Sequence, residues 1–258
     1  MGDRLTVCAL GPTPYAEGLA LQDALVGARA DGRTGDWVLY PDHPPVLTMG
    51  RGGGAENVVA DAATLDRMGV ELFEVARGGD VTWHGPGQLV GYPIVALDRV
   101  DRDLHRWLRT LEEALIRGVA RWGVQGGRRE GLTGVWVGDA KLASVGVAVR
   151  RWVAYHGFAL NVLTDLSGFS LIHPCGLKGV RMTSMAELLG DGAPEMSEIR
   201  SAVSHELAAL LGYDGLDEVP PGVARGFRDR AAAADESLSG RVPGATDPPT
   251  GGVSTWSR

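Results

Sequence analysis

The most regular pattern of apolar positions in the chain lies between residues 102 and 122. Apolar side chains recur there at steps of three and four residues, which places them along one face of a helix. They are Leu104, Trp107, Leu108, Leu111, Leu115, Val119 and Trp122. Asp101 can cap the start of this helix and Gly123 its end, so the segment predicts an amphipathic helix packed on a core.

Shorter apolar runs, bounded by turn-forming residues, predict strands on both sides of this helix. The predicted strands are Arg4–Leu10, Trp37–Tyr40, Val46–Met49, Val70–Ala76, Leu89–Leu97, Val135–Val137, Lys141–Val149 and Trp152–Asn161. The other predicted helices are 14–30, a short one opened by Ser184, and one from Ser197 to Leu211. This order favours a mixed sheet with helices against it, an α/β domain of the α+β type.

The composition of the chain changes near Ala231. Beyond that point bulky apolar residues nearly disappear, and Ser, Gly, Pro and Asp dominate. Such a segment cannot bury enough apolar surface to order itself. We therefore expect one folded domain over residues 1–230 and a flexible tail over residues 231–258.

Two features of the chain bear on its location. No run of about 18 uncharged apolar residues occurs, and residues 1–8 lack the apolar run of a secretory signal. The two cysteines, Cys8 and Cys175, are too few to indicate a disulfide framework. We expect a cytoplasmic protein that does not enter a membrane.

The charge of the chain is unevenly distributed. The formal net charge is −7, yet residues 99–151 carry 11 basic and 6 acidic groups. Nucleic acid binding calls for a stronger basic face than this, so no nucleic acid partner is expected. Two interpretations of residues 99–151 stay open, namely a docking face for an acidic protein and a solvated helix face.

Arginine has replaced lysine almost everywhere, since the chain holds 23 arginines and only two lysines, Lys141 and Lys178. A lysine amine can give up its proton, whereas a guanidinium does not. Lys141 precedes an apolar strand of small residues, where it can act as a base toward a thiol. The alternative is an ordinary lysine at a strand edge that reaches water. Lys178 is expected at the rim of a binding site.

Residues 77–88 contain five glycine or proline residues around His84. Glycines allow a backbone to turn sharply and let a ligand approach the backbone amides closely. The segment therefore indicates either a binding loop or a tight turn with a surface histidine.

Cys175 lies among small, turn-forming residues in the segment 173–179, which suits an accessible thiol. The thiolate is the nucleophile, so a nearby base or cation has to assist its formation. His173 is one local candidate for that base. An inert cysteine in a turn is the alternative for Cys175, whereas Cys8 lies in an apolar run and is expected in the core.

Metal and phosphate sites have little support in the sequence. The six histidines and two cysteines show no close ligand pair, so we expect no metal site and no cofactor. The run Gly50–Gly54 can form a phosphate loop, but it lacks the lysine and hydroxyl residue of a P-loop.

Three segments together resemble the lipoyl(octanoyl) transferase family, the octanoyl-carrier-protein:protein N-octanoyltransferases. They are Arg77–Gln88 with its His-Gly-Pro-Gly-Gln run, Lys141–Gly146, and Pro174–Leu177 with Pro-Cys-Gly-Leu. Gly50-Arg51 and His156–Asn161 are also similar to family segments. The resemblance covers about residues 5–215, and it implies a mixed sheet with helices like the catalytic domain of biotin and lipoate ligases.

The resemblance also implies the roles of individual residues. Cys175 would carry the acyl group, and Lys141 would tune the Cys175 thiol. The residues that would line the acyl and lysine channel are Arg77, Gly78, Gly79, Asp80, Val81, Thr82, Trp83, His84, Ser144, Val145, Gly146, Gly157, Phe158 and Ala159. Asp80 and Trp83 depart from the family, which often shows an amide or basic residue and a tyrosine at these positions.

The partners that the resemblance implies are octanoyl-acyl carrier protein as donor and lipoyl domains as acceptors. Those domains belong to the E2 subunits of 2-oxoacid dehydrogenases and to the glycine cleavage H protein, and the enzyme would be a monomer. Three alternatives remain from the residues themselves. One is an ATP-dependent lipoate or biotin ligase using Gly50–Gly54, and another is a cysteine hydrolase pairing Cys175 with His84 or His173. The third is a non-catalytic protein that binds the carrier protein and forms no covalent adduct.

Overall fold

The computed structural model describes residues 3–176 and 179–239, without the side chains of Cys175 and residues 234–239. A large mixed sheet with helices packed on it confirms the α+β class. The helices are α1 (Tyr15–Ala30), α2 (Ala62–Met68), α3 (Leu104–Ala120), α4 (Met185–Leu189), α5 (Met196–Leu210) and α6 (Pro221–Ser239). The strands are β1 (Arg4–Pro12), β2 (Trp37–Asp42), β3 (Val46–Met49), β4 (Glu71–Glu74), β5 (Thr82–His84), β6 (Gln88–Ala96), β7 (Gly127–Arg129), β8 (Leu132–Val137), β9 (Ala140–Arg150), β10 (Val153–Asn161), β11 (Arg181–Met182) and β12 (Gly215–Glu218).

The large sheet has the strand order β12-β1-β2-β6-β10-β9-β8-β7, and β11 pairs with β9 outside this path. Strands β12, β1 and β2 are parallel to one another, whereas β2 to β7 in this order pair antiparallel. A second, smaller sheet has the order β4-β3-β5. The small sheet carries the glycine-rich segment against the β9–β10 ribbon.

Both faces of the large sheet are covered, which explains why β2 is apolar at successive positions. Along β2, Val38 and Tyr40 join the core cluster that includes α3 and α5, whereas Trp37 and Leu39 join the cluster that includes α1. Side chains alternate between the two faces of a strand, so each face of β2 contributes to a different core. The sheet is therefore a rigid frame held from both sides.

The predicted amphipathic helix forms as α3, with Trp107, Leu111, Leu115 and Val119 fully buried. The predicted cap is wrong by two residues, because the Asp103 side chain accepts the N–H of Arg106. Asp101 instead ends the preceding 3₁₀ turn with a φ of 56°.

The C-terminal part of the chain differs from its sequence-based prediction. Helix α5 begins at Met196 with a capping box between Glu195 and Glu198, not at Ser197. The helical backbone of α6 continues to Ser239, beyond the predicted boundary at 230, and its Arg225 and Arg228 pair with Glu17 on α1. Residues 240–258 lie outside the described residues, so the flexible tail stays a prediction.

Among the residues described, no helix is both long and apolar enough to cross a bilayer.

Candidate active site

A cavity of about 240 Å³ lies between the β9–β10 ribbon, the segment 77–82 and the start of β8. Thirteen of the fourteen predicted channel residues line it, and Trp83 is the exception. The further lining residues are Tyr15, Tyr92, Gly131, Leu132, Thr133, Trp136, Lys141 and His156. The structure thus brings together segments that lie far apart in the chain.

Trp83 was predicted in the channel, but it faces the other side of β5. Its neighbours Thr82 and His84 line the cavity, whereas Trp83 joins a buried cluster and packs on Phe169 at a ring distance of 5.6 Å. Alternation along a strand explains the difference, since Trp83 lies between two residues that face the cavity.

Arg77 holds the glycine-rich segment in place from inside. Its side chain is buried and donates to the carbonyl of Thr48 at 2.6 Å, to Thr48 Oγ1 at 2.8 Å and to the carbonyl of Asp80 at 2.8 Å. These bonds tie the segment to β3. Gly146 allows the segment to approach β9, because a Cβ there would lie 3.0 Å from the Gly78 carbonyl oxygen.

The hydrogen bonds of His84 determine its tautomer. Gln88 Nε2 donates to Asn161 Oδ1 and to the Trp83 carbonyl, so Gln88 Oε1 accepts the N–H of His84 Nδ1 at 2.8 Å. His84 Nε2 then carries a lone pair, with Thr48 Oγ1 at 3.4 Å. Burial, helped by neighbouring His43, lowers the pKa of His84 to about 3, which leaves the ring neutral.

Three further rings surround His84, and the sequence did not single them out: Tyr15 and Tyr92 line the cavity, and His43 packs behind them. His43 Nδ1 donates to the Thr13 carbonyl at 2.7 Å, so its Nε2 accepts the hydroxyl of Tyr92 at 2.7 Å. Tyr15 stacks on His84 at a ring distance of 6.2 Å. Tyr15 stands in a helix and Tyr92 in an apolar strand, so no local pattern distinguishes them from core aromatics. The cluster also keeps His43 neutral, since burial lowers its pKa to about 4.

Lys141 lies in the opposite wall of the cavity and is 4% exposed. Its Nζ is 5.4 Å from the centre of the Trp136 ring. The backbone of Lys141 pairs with Met182 of β11, and its carbonyl accepts the N–H of Thr183 at 3.0 Å. The segment that follows Cys175 in the chain is therefore attached directly beside Lys141.

The Cys175 side chain, Leu177 and Lys178 lie outside the described residues, so the predicted sites at Cys175 and Lys178 stay predictions. The backbone around Cys175 is described and forms the 3₁₀ turn Pro174–Gly176. A Cβ on Gly176 would collide with the carboxylate of Asp80, a residue that lines the cavity. The preceding His173 donates its N–H to the Asn57 carbonyl at 2.7 Å. The turn is thus held against the cavity wall at Asp80, and the chain that follows it pairs with β9 from Arg181 onward.

The amides of Gly50–Gly53 are engaged within the protein. The N–H groups of Arg51 and Gly52 donate to the carbonyls of Arg77 and Gly79, each at 3.0 Å, and Gly53 donates to Gly50. Amides bonded in this way are not directed at a phosphate, so this run supports the glycine-rich segment instead of forming a phosphate loop.

The basic residues 99–151 have carboxylate partners. Every one of the ten arginines in this part of the chain has a carboxylate oxygen within ion-pair distance. Many of these carboxylates come from elsewhere in the chain, such as Asp23, Asp31 and Asp36. The local excess of positive charge in the sequence is therefore largely balanced in the folded protein.

Within the part of the chain that the structure describes, no group of three or more His, Cys, Asp and Glu side chains is arranged to hold a metal ion.

The family model of the lipoyl protein ligase A/B catalytic domain matches residues 14–208. An octanoyltransferase from Syntrophotalea carbinolica is 49% identical over 202 residues, which cover 78% of this chain and 92% of that protein.

Among solved structures, a lipoate-protein ligase A bound with ATP superposes with a TM-score of 0.71 at 21% identity, covering 89% of this chain and 95% of that one. A bipartite lipoate protein ligase from Thermoplasma acidophilum gives a TM-score of 0.66 at 19% identity, covering 96% and 100%. These two similarities confirm the predicted ligase-type fold. The chain therefore belongs to the lipoyl(octanoyl) transferase family, a family of acyltransferases built on the lipoyl protein ligase A/B catalytic domain.

Proposed function

We propose that this chain moves an octanoyl group from the thioester of an acyl carrier protein to a lysine of a lipoyl domain, through a thioester on Cys175. The acceptors would be the E2 subunits of 2-oxoacid dehydrogenases and the glycine cleavage H protein, and the enzyme would act as a cytoplasmic monomer. The proposal extends the activity named for the relatives to a specific donor, acceptor and nucleophile.

The observation that carries the proposal is a buried lysine in the wall of the cavity. Lys141 lines the cavity beside Trp136, and β11 joins Lys141 to the chain segment that contains Cys175. Gly176 lies against Asp80 in the same cavity. The contact of Gly176 with Asp80 and the pairing of β11 with Lys141 thus both support a Cys175 thiol near the Lys141 amine.

In the first half-reaction, the Lys141 amine takes the proton of the Cys175 thiol. The thiolate attacks the octanoyl carbonyl carbon and forms a new C–S bond. The bond between that carbon and the carrier's thiol breaks, and the departing thiolate takes the proton back from Lys141. One thioester replaces another, so the step is close to isoenergetic.

In the second half-reaction, the neutral amine of the acceptor lysine attacks the acyl-cysteine. A C–N bond forms, the C–S bond to Cys175 breaks, and a proton passes from the attacking nitrogen to the cysteine sulfur, with Lys141 as the carrier. A thioester becomes an amide, which is strongly downhill, so no ATP is consumed. The backbone amides of the turns near Cys175 and His84 are candidates to stabilise the oxyanion in both steps.

The acyl chain would occupy the cavity along the β9–β10 ribbon. Val145, Phe158 and Ala159 give this surface its apolar character. Each methylene that leaves water contributes about 0.8 kcal/mol, so eight carbons bind firmly, but discrimination between chain lengths requires a closed end. Tyr15, Tyr92 and His156 line the cavity, and we expect these rings to form that closed end.

The two rival enzyme activities predict different products. A ligase would require ATP, and the bonded amides of Gly50–Gly53 give it no phosphate loop at that site. A cysteine hydrolase would release free octanoate without any acceptor protein. Omitting ATP and omitting the acceptor domain therefore separate the three activities in one assay.

The proposal is tested by intact mass after incubation with octanoyl-acyl carrier protein. The expected result is one octanoyl adduct on the peptide that contains Cys175, and none in Cys175→Ala. Cys8→Ala is the matched control, because Cys8 is fully buried and burial raises its pKa to about 11. Its activity should stay close to that of the parent enzyme. An adduct on Cys8 or His84, or full transfer by Cys175→Ala, would refute the covalent route.

A further inference from the structure

A buried carboxylate stands behind the cavity wall that carries Lys141. Glu112 lies in the middle of α3, and its side chain is completely buried. Glu112 Oε2 accepts from Arg109 Nη1 at 2.6 Å and from Arg128 Nε at 3.0 Å. Its other oxygen, Oε1, accepts the backbone N–H of Gly134 at 2.8 Å. Both oxygens of the carboxylate thus accept hydrogen bonds. Two of the three bonds come from arginines, and the third comes from the backbone of β8.

Gly134 occupies a position in β8 that no other residue fits. Its φ is 126°, outside the usual range of residues with a side chain. A Cβ at Gly134 would collide with the Ala143 carbonyl and would lie 2.7 Å from Cε of Lys141. The space next to the Gly134 Cα is therefore the space that the end of the Lys141 side chain occupies.

An irregularity in the strand pairing lies at the same place. Val135 pairs with Ala143 and Trp136 with Lys141, so Leu142 is an extra residue on β9. A bulge of this kind changes which side chains share a face. Leu142 and Ala143 both join the core, while Lys141 and Ser144 on either side of them both line the cavity. The bulge beside Gly134 thus directs Lys141 into the cavity.

We infer that Glu112 is a positioning residue for the amine of Lys141. Its carboxylate bonds the Gly134 N–H and holds the β8 backbone in the conformation that leaves room for the lysine. Arg109 and Arg128 hold the carboxylate in turn, from the more exposed side of the helix. The inference rests on one part of the proposed function, namely that Lys141 acts on the Cys175 thiol.

The matched variants are Glu112→Leu, Glu112→Gln and Glu113→Gln. Leucine removes the acceptor for the Gly134 N–H, whereas glutamine keeps an oxygen there. Glu113 is the control, because it also binds Arg128, at 2.8 Å, and Arg117, but it makes no bond to Gly134. Small displacements of a catalytic group can cost about 100-fold in rate. We expect octanoyl transfer to fall about 10- to 100-fold in Glu112→Leu, less in Glu112→Gln, and hardly at all in Glu113→Gln.

An NMR measurement distinguishes a displaced Lys141 side chain from a general loss of structure. The chain has only two lysines, so ¹³Cε-lysine labelling gives two methylene signals, and Lys141→Ala assigns them. The Lys141 signal should carry a ring-current shift from Trp136. That shift should be reduced in Glu112→Leu and retained in Glu113→Gln. A Lys141 signal that stays unchanged in both Glu112 variants would overturn the inference, whatever the activity.

A double substitution tests whether Glu112 acts through Lys141. In the Lys141→Ala background, Glu112→Leu should cause no further loss of transfer, since the residue that it positions is already absent. If Glu112→Leu lowers octanoyl transfer by the same factor with and without Lys141, the inference is wrong. If Lys141→Ala itself transfers the octanoyl group normally, the proposed function fails instead, and the methylene signal still decides the role of Glu112. If Glu112→Leu does not fold, Glu112→Gln is compared with Glu113→Gln by the same two readouts.

Discussion

Two walls of one cavity carry buried ionisable groups. In one wall these groups are uncharged, and in the other a buried charge is kept and paired. The histidine wall consists of His84, His156 and, behind them, His43; burial lowers their pKa values to about 3, 4 and 4. The lysine wall consists of Trp136, Lys141 and, behind them, Glu112. There a carboxylate is kept inside the protein by two guanidinium groups and a backbone N–H.

The difference follows from the partners that each wall offers. The rings of His43 and His84 meet carbonyl, amide and hydroxyl groups, which satisfy a neutral ring, and a histidine that loses its proton avoids a buried charge. Glu112 meets two arginines, so its charge is compensated. One wall of the cavity is thus built from uncharged rings, with the Arg77 guanidinium beside them, and the other is built around Lys141 and the ion pairs of Glu112.

The largest effect is expected from the lysine wall. Lys141→Arg keeps a cation in place but removes an amine that can lose its proton. We expect kcat for octanoyl transfer to fall by about 100-fold or more, the usual range for loss of a general base. Arg129→Lys is a suitable control, because Arg129 also lies near the Trp136 ring, at 5.0 Å, but is half exposed. Near-normal transfer by Lys141→Arg would remove the lysine from the mechanism.

The histidine wall should appear in the pH dependence of stability. Each of its three histidines has a lower pKa in the folded protein than the 6.5 of an unfolded chain. Their contribution is fully present above about pH 6.5 and is lost as the pH falls toward 4, because the unfolded chain then binds protons that the folded protein does not. Each histidine can remove up to about 1.4 kcal/mol per pH unit.

Urea unfolding at pH 7, 6 and 5 measures this loss. His43→Gln removes one of the three histidines and should make the slope of the unfolding free energy against pH shallower. An identical slope in the variant and the parent protein would mean that His43 is not held neutral by the fold.

Trp83 lies behind the histidine wall. Of the substitutions considered, Trp83→Phe is expected to have the smallest effect on activity. Trp83 packs on Phe169 and does not line the cavity. The substitution leaves a gap in a buried cluster, so the free energy of unfolding should fall by about 1 kcal/mol or more. KM and kcat for octanoyl transfer should change less than about twofold. A large rise in KM would show that Trp83 shapes the channel after all.

The sequence by itself determined the elements that depend on local pattern. The stripe of apolar residues in α3 and the limits of β3 at Val46 and Met49 agree with the prediction. The glycine-rich segment around His84 does form part of the cavity wall. These features follow from periodicity and glycine content, which neighbouring residues alone define.

Only the tertiary structure decided which side chains meet. Regular alternation along β9 would set Lys141 and Ser144 on opposite faces, but the extra residue Leu142 brings both to the cavity. Tyr15, His43 and Tyr92 come from three distant segments, and Glu112 reaches Gly134 across 22 residues of chain. A bulge and a long-range hydrogen bond depend on pairing between strands and helices, and no local pattern of apolar positions records that pairing.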